Sequence, residues 1–373
     1  MNNWKDCQLG DILTFQRGYD LPKKQMINGE YPVVGSNGII GYHNEYTTET
    51  PSITIGRSGN TGKPFITYSR SWSHNTTLYV KEFKGSDPVY VYYLLKTLDL
   101  GNFAGGSAVP TLNRNHIHTL DISVPLLSEQ VEIGRMLRAL DEKIANNTKI
   151  NHHLEQMAQA IFKSWFVDFE PWGGVMPKDW QTVEFSSFLT PRVEKSNDPT
   201  IPLFSVTDTG IYPREEKFTK NLSKTDTKNK KVHETDIVFG MSREILNWGI
   251  LRSPFGAVSS AYNVYAINAK INSKYLESFI KTHSFYFKDL IRPATREGQG
   301  VDKGALMLKS IYLPSDSVLS KYYEIEDSLT AYIREKDEES ARLAALRDTL
   351  LPRLMSGSLS VETRHALSLQ CPA

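Results

Sequence analysis

The chain is short of cysteine, of long apolar runs and of net charge, and each shortage removes a class of protein. Cys7 and Cys371 are its 2 cysteines, near opposite ends of 373 residues, and neither has a Cys or His at metal-ligand spacing. A disulfide scaffold and a zinc module are thereby excluded. No apolar stretch approaches the roughly 18 residues a membrane span requires, and the N-terminus lacks the apolar core of a signal peptide. The 9 histidines show no ligand spacing, the pair His152-His153 included. A reduced, cytoplasmic chain without a structural metal is the expectation.

Catalytic signatures are missing as well. Asp198-Pro199 is followed by Thr200, so the Asn/Asp-Pro-Pro-aromatic motif of amino-methyltransferases is absent, and no Glu-x-Lys nuclease signature follows an upstream Pro-Asp. The loop Gly56-Arg57-Ser58-Gly59-Asn60-Thr61-Gly62-Lys63 imitates a phosphate-binding loop without being one. Arg57 stands where the pattern needs its first Gly, and Pro64 stands where it needs Ser or Thr. Pro64 also blocks the helix whose N-terminus would hold the phosphate. Together these absences describe a binding protein.

What is present is a globular composition, with 40% hydrophobic residues and a net charge of +1. That content supports real cores. The near-zero charge argues against nucleic-acid binding only on average, because the basic residues cluster. Arg214, Lys217, Lys220, Lys224, Lys228, Lys230 and Lys231 face only Glu215, Glu216 and Asp226 in one short stretch, whereas acids gather elsewhere, as in Arg334-Glu335-Lys336-Asp337-Glu338-Glu339. The cluster reads as a phosphate-facing surface.

The chain also repeats itself, which fixes how it is organised. Trp4 opens Trp-x-x-x-x-Leu-x-x-Ile-Leu, and Trp180 opens Trp-x-x-x-x-Phe-x-x-Phe-Leu. Each copy then passes through short β-rich segments bounded by Gly, Asn and Pro. Ser52–Ile55 and Thr77–Val80 are expected strands of the first copy; Ile237–Phe239 and Asn263–Ile267 are those of the second. Short helices are expected at Val89–Leu98 and Lys274–Phe287, giving mixed α/β domains in an α+β chain. Each copy reaches a Pro, Pro125 and Pro314, and enters a helical stretch.

In the first stretch a 3-4 spacing from Ser128 and Glu129 picks out Ile133, Leu137, Leu140, Ile144, Asn147, Asn151, Leu154, Ala158, Ile161 and Trp165. In the second, aligning Ile325 with Ile133 gives Ile325, Leu329, Tyr332, Lys336, Glu339, Leu343, Leu346 and Leu350. Both stripes are apolar, then polar, then apolar, the pattern of two antiparallel helices in a coiled coil whose polar middle fixes register. About 32 helical residues at about 1.5 Å each span roughly 48 Å, close to about 14 base pairs at about 3.4 Å. Two globular domains held at opposite ends of such a rod would form a measuring device with pseudo-two-fold symmetry.

Each copy places an Arg beside Ser after a strand and a Gly. The first has Gly56-Arg57-Ser58 and the second Gly240-Met241-Ser242-Arg243. An Arg at a strand end can reach a base edge or a phosphate. Arg57, Ser58, Asn60, Lys63, Arg243 and Asn247 therefore join the basic cluster as candidate DNA contacts.

Several strings now carry a family resemblance. They are Gly106-Ser107-Ala108-Val109-Pro110-Thr111-Leu112-Asn113, Ile122-x-Val124-Pro125, Glu129-Gln130 and Leu140-Asp141-Glu142-Lys143-Ile144. Phe162-Lys163-Ser164-Trp165-Phe166-Val167-Asp168-Phe169 and Leu350-Leu351-Pro352-Arg353-Leu354-Met355-Ser356-Gly357 follow the two helices. From Trp4 to about Leu359 the chain resembles the specificity subunit of type I restriction-modification enzymes, the HsdS family. The resemblance implies target recognition domains over 1–127 and 171–314, conserved spacer helices over 128–170 and 315–359, and an unassigned tail over 360–373. It implies a non-catalytic subunit that binds a bipartite site on double-stranded DNA with two methylation and two restriction subunits. It implies no cofactor on this chain, S-adenosylmethionine, ATP and Mg belonging to those partners. The second copy departs from the family where Ser315–Lys321 replaces a Glu-Gln step and where Val301-Asp302-Lys303 replaces Val109-Pro110-Thr111. The alternatives are the recognition part of a type II-like (IIB/IIG) system and a helical scaffold that binds only proteins.

Overall fold

The computed structural model describes residues 4–106, 110–196, 198, 200–214, 229–242, 244–291 and 301–359. Of the candidate contacts, Lys217, Lys220, Lys224, Lys228 and Arg243 lie outside the described residues. The chain divides into two compact units: residues up to Ile150 together with those from Arg334 onward form one, and Asn151–Ile333 forms the other.

In the first unit a four-stranded antiparallel sheet runs in the order Thr14–Arg17, Thr77–Glu82, Ser52–Gly56, Pro64–Thr67. The alternation of β-branched and aromatic residues in these strands favours the pleat, and Phe15, Ile53, Ile55, Leu78 and Val80 enter the core. Lys5–Gln8 pairs with Asp121–Val124, which delivers the chain to Pro125 and the first long helix. The short helix Pro88–Thr97 is capped by Asp87, whose carboxylate accepts from Tyr90 N at 2.8 Å.

The second unit repeats this order with shorter strands. Leu189–Pro191, Asn263–Ile267, Ile237–Phe239 and Trp248–Ile250 form its four-stranded sheet, and Gln181–Glu184 pairs with Ser310–Leu313 before Pro314. Its helix Ser273–Thr282 is shorter than the sequence pattern indicates, because His283 leaves helical geometry (φ −105°, ψ 34°) and Ser284–Leu290 continues as a 3-10 turn.

Two helices of 40 residues each, Leu127–Phe166 and Asp316–Met355, complete the fold. They pair antiparallel as a coiled coil, residue numbers rising on one as they fall on the other. In the first unit Asp141 Oδ1 accepts from Arg347 Nη1 at 2.6 Å, and Lys143 meets Glu339 at 3.4 Å. The fully buried Asn147 donates to Glu339 Oε2 at 3.0 Å and to Ser340 Oγ at 3.2 Å. In the second unit Asn151 donates to the Ile333 carbonyl at 3.4 Å. A buried Asn in an apolar seam penalises every other register, which is how polar layers select one pairing.

The helix phase differs from the one read off the sequence. Both helix ends lie 189 positions apart, the spacing of Pro125 and Pro314, not the 192 separating Ile133 from Ile325. The repeat counterpart of Ile133 is therefore Tyr322, each buried in its own unit. Ile333 turns inward while Tyr332 remains 44% exposed. Ile325, Leu329 and Leu343 are half-buried, Leu346 packs on the core of the first unit and Leu350 is buried in it. On the first helix Ile133, Leu137 and Leu154 are buried, and Leu140, Ile144 and Ile161 half-buried.

The same phase explains the missing Glu-Gln of the second copy. Gln130 is buried, donating to the Pro125 carbonyl at 3.0 Å and accepting from Asp87 N at 3.0 Å. Its counterpart, Leu319, enters the apolar core of the second unit instead. One copy ties the helix start by hydrogen bonds and the other by burial.

Candidate nucleic-acid interface

A basic concavity of the first unit is flanked by its Gly loop. After the strand Ser52–Gly56 the chain doubles back, with Gly62 N donating to the Gly56 carbonyl at 2.8 Å and Gly56 N to that of Lys63 at 3.2 Å. A Cβ on Gly56 would stand 1.8 Å from the Asn60 carbonyl oxygen, and Gly62 takes φ +76°, so this reversal requires glycine at both positions. Arg57 N donates to the Thr76 carbonyl and Leu112 N to that of Arg57, both at 2.8 Å. The loop is thus fastened on both flanks. Ser58 and Asn60 are half-buried beside Arg57, and Lys63 is exposed.

The cleft so formed has a volume of about 580 Å³ and is lined by Arg17, Arg57, Phe103, Asn113, Arg114 and His116 among others, with no carboxylate. Burial, and then the charge of Arg17, lower the Arg57 pKa below its ordinary value. Arg17, Arg114 and His116 escaped the sequence reading. Arg17 ends a strand that the sequence pattern did not single out, and Arg114 lies one residue beyond the Thr111-Leu112-Asn113 string.

His118 holds two sides of this cleft together. Its Nε2 accepts from Phe15 N at 3.0 Å, and its ring stacks on Phe15 with centroids 5.9 Å apart. The helix Arg114–His118 is thereby locked to the strand that carries Arg17. An accepting ring nitrogen carries no proton. Burial, then the charges of Lys84 and Arg114, lower the His118 pKa from its ordinary 6.5. A lowered folded pKa contributes stability that is complete above the unfolded value and is lost as pH falls through the folded one. Unfolding free energy is expected to decline as pH drops below about 6.5. His118→Gln, titrated by urea denaturation at several pH values, is expected to show a shallower decline, and an unchanged slope would remove His118 from this role.

In the second unit the two described lysines of the sequence cluster are already engaged. Lys230 Nζ donates to the Tyr262 carbonyl, and burial followed by the charge of Lys303 lowers its pKa. Lys231 meets Glu194 at 3.0 Å, and the same carboxylate meets His233 at 3.0 Å. Arg214 is half-buried, with its Nε among the buried atoms that lack a hydrogen-bond partner. Asn247 closes its own loop, accepting from Gly240 N at 2.8 Å through its carbonyl and donating its side-chain amide to the Met241 carbonyl. A larger cleft of about 1150 Å³ in this unit mixes Glu244, Glu277 and Glu326 with Arg252, Lys281 and Lys288. Its mixed charge suits a polyanion poorly.

Among the described residues no group of His, Cys, Asp and Glu could hold a metal ion, and no helix is long and apolar enough to cross a membrane.

Comparison with known proteins bears on the same elements. Residues 1–156 match the family model of the type I restriction modification DNA specificity domain. Over 306 residues the chain is 27% identical to the type I restriction enzyme MjaIX specificity subunit of Methanocaldococcus jannaschii, covering 73% of this chain and 69% of that one. Residues 1–156 thus carry a type I restriction-modification DNA specificity domain. The HindI specificity subunit of Haemophilus influenzae is 45% identical over 62 residues, 17% of this chain and 14% of the relative. The solved structure of a type I restriction-modification S subunit from M. genitalium shares the fold, with a TM-score of 0.65 at 14% identity over 95% of this chain and 96% of that one. Across the whole chain the two copies share one strand order and one helix length.

Proposed function

We propose that the chain is the DNA-recognition subunit of a type I restriction-modification complex, each recognition domain reading one half of a split target. The observation that carries this reading is the recurrence of one strand order in two units, each joined to helices of 40 residues. Two readers with different loops on one scaffold suit two different half-sites at a fixed separation. In this reading residues 1–127 and 171–314 are the recognition domains, and 128–170 and 315–359 are the spacers. The spacers would carry two methylation subunits, and two restriction subunits would join the complex, acting in the cytoplasm. The partners would supply S-adenosylmethionine, ATP and Mg.

The test is a genome-wide map of methylated adenines in cells expressing the full chain with its methylation subunits. A two-part motif with a constant gap is expected. A continuous motif, or methylation without sequence preference, would overturn the reading.

A further inference from the structure

We propose that Arg57 reads a guanine edge while Arg17 and Arg114 hold the flanking phosphates, making the arginine cleft the place where the first unit discriminates sequence. The proposal rests on the DNA-recognition reading above and names residues for it. Three guanidiniums line this cleft without a carboxylate. Several other arginines of the same unit are paired, as Arg70 with Glu49, Arg138 with Glu142 and Arg347 with Asp141. Among the described residues Arg17, Arg57 and Arg114 form no ion pair. Holding like charges together in a partly buried cleft costs free energy that a bound anion returns. A fold that gathers these three guanidiniums around one cleft without a carboxylate is arranged for an external acceptor.

Mobility divides the roles. A base edge is discriminated only by a donor held in place, because a mobile fork satisfies any acceptor within reach. Arg57 is half-buried and its backbone is bonded on both sides, to Thr76 and to Leu112, each at 2.8 Å. Its planar fork matches the O6 and N7 acceptors of guanine in the major groove. Arg17 and Arg114 are exposed, so their side chains can follow a backbone phosphate without fixing a base.

The test uses the full chain assembled with its methylation subunits, adenine methylation maps and binding to duplexes carrying the mapped motif across a salt series. Arg57→Ala and Arg57→Lys are each expected to relax one G·C position in one half-site, with discrimination there falling about tenfold to a hundredfold. Arg57→Lys keeps the charge and loses only the planar fork. Arg17→Ala and Arg114→Ala are expected to weaken binding to all sequences alike, each reducing the salt slope by about one, with the motif unchanged. An unchanged motif in both Arg57 variants would overturn the assignment, as would a half-site without guanine at the affected position. Loss of the two-part motif already in the unaltered chain would overturn the underlying reading instead.

Discussion

Arg192→Ala is expected to lower the unfolding free energy by about 3 kcal/mol, the range for removing one partner of a buried ion pair. Asp236 is 2% exposed and links the turn at Glu234-Thr235 to the central strand Ile237–Phe239. Arg192 grips its carboxylate with both arms of the fork, Nε at 2.5 Å and Nη2 at 3.0 Å, and His233 N donates to it at 2.9 Å. Alanine leaves the charge in place with the backbone donor as its remaining described partner, and desolvation is then no longer offset. Urea denaturation of the single variant and of Arg192→Ala with Asp236→Asn separates the causes. The double variant is expected to be the more stable, since it removes the stranded charge. A single-variant loss under about 1 kcal/mol would show that water restores what Arg192 supplied.

Phe166→Ala is expected to cost about 3–5 kcal/mol. The ring is fully buried in the second unit, with Phe162, Tyr275 and Tyr322 each at 5.1 Å and Trp180 at 5.7 Å between centroids. Aromatic neighbours held edge to face cannot collapse into the space one ring leaves, so the cavity persists. Phe166→Leu is expected to cost less, about 1–1.5 kcal/mol. Tryptophan fluorescence during urea denaturation follows this directly, because Trp165 and Trp180 touch the ring. A loss below about 1 kcal/mol for Phe166→Ala would mean that this cluster repacks freely.

Asp236 borders, and Phe166 lies in, an element that the sequence announced. Val238 and Val264 sit in β-rich runs between turn formers, and their strands formed where that pattern put them. The paired Trp openings, the Pro steps and the apolar stripes marked two copies of one plan. Side-chain roles were far less legible. Lys230 and Lys231 looked like phosphate contacts because charge density along a chain ignores what folds against it; the Tyr262 carbonyl and Glu194 come from elsewhere in the sequence. Arg17 and Arg114 looked ordinary for the same reason, being neighbours only through the strand pairing and the His118 anchor.

The sequence by itself determined the duplication, the strand-rich readers and the two helices, because these follow from local propensity and hydrophobic period. Only the tertiary structure decided the helix phase and the fate of each cation. Two stripes, one through Ile325 and Tyr332 and one through Tyr322 and Ile333, share Leu329, Lys336, Leu343 and Leu350, so periodicity alone cannot choose between them. The facing helix chooses, through the buried Asn147 layer and the docking of Tyr322 in the aromatic core. A cation is likewise spent or left available by whichever carboxylate or carbonyl the fold brings to it, and that is a long-range fact.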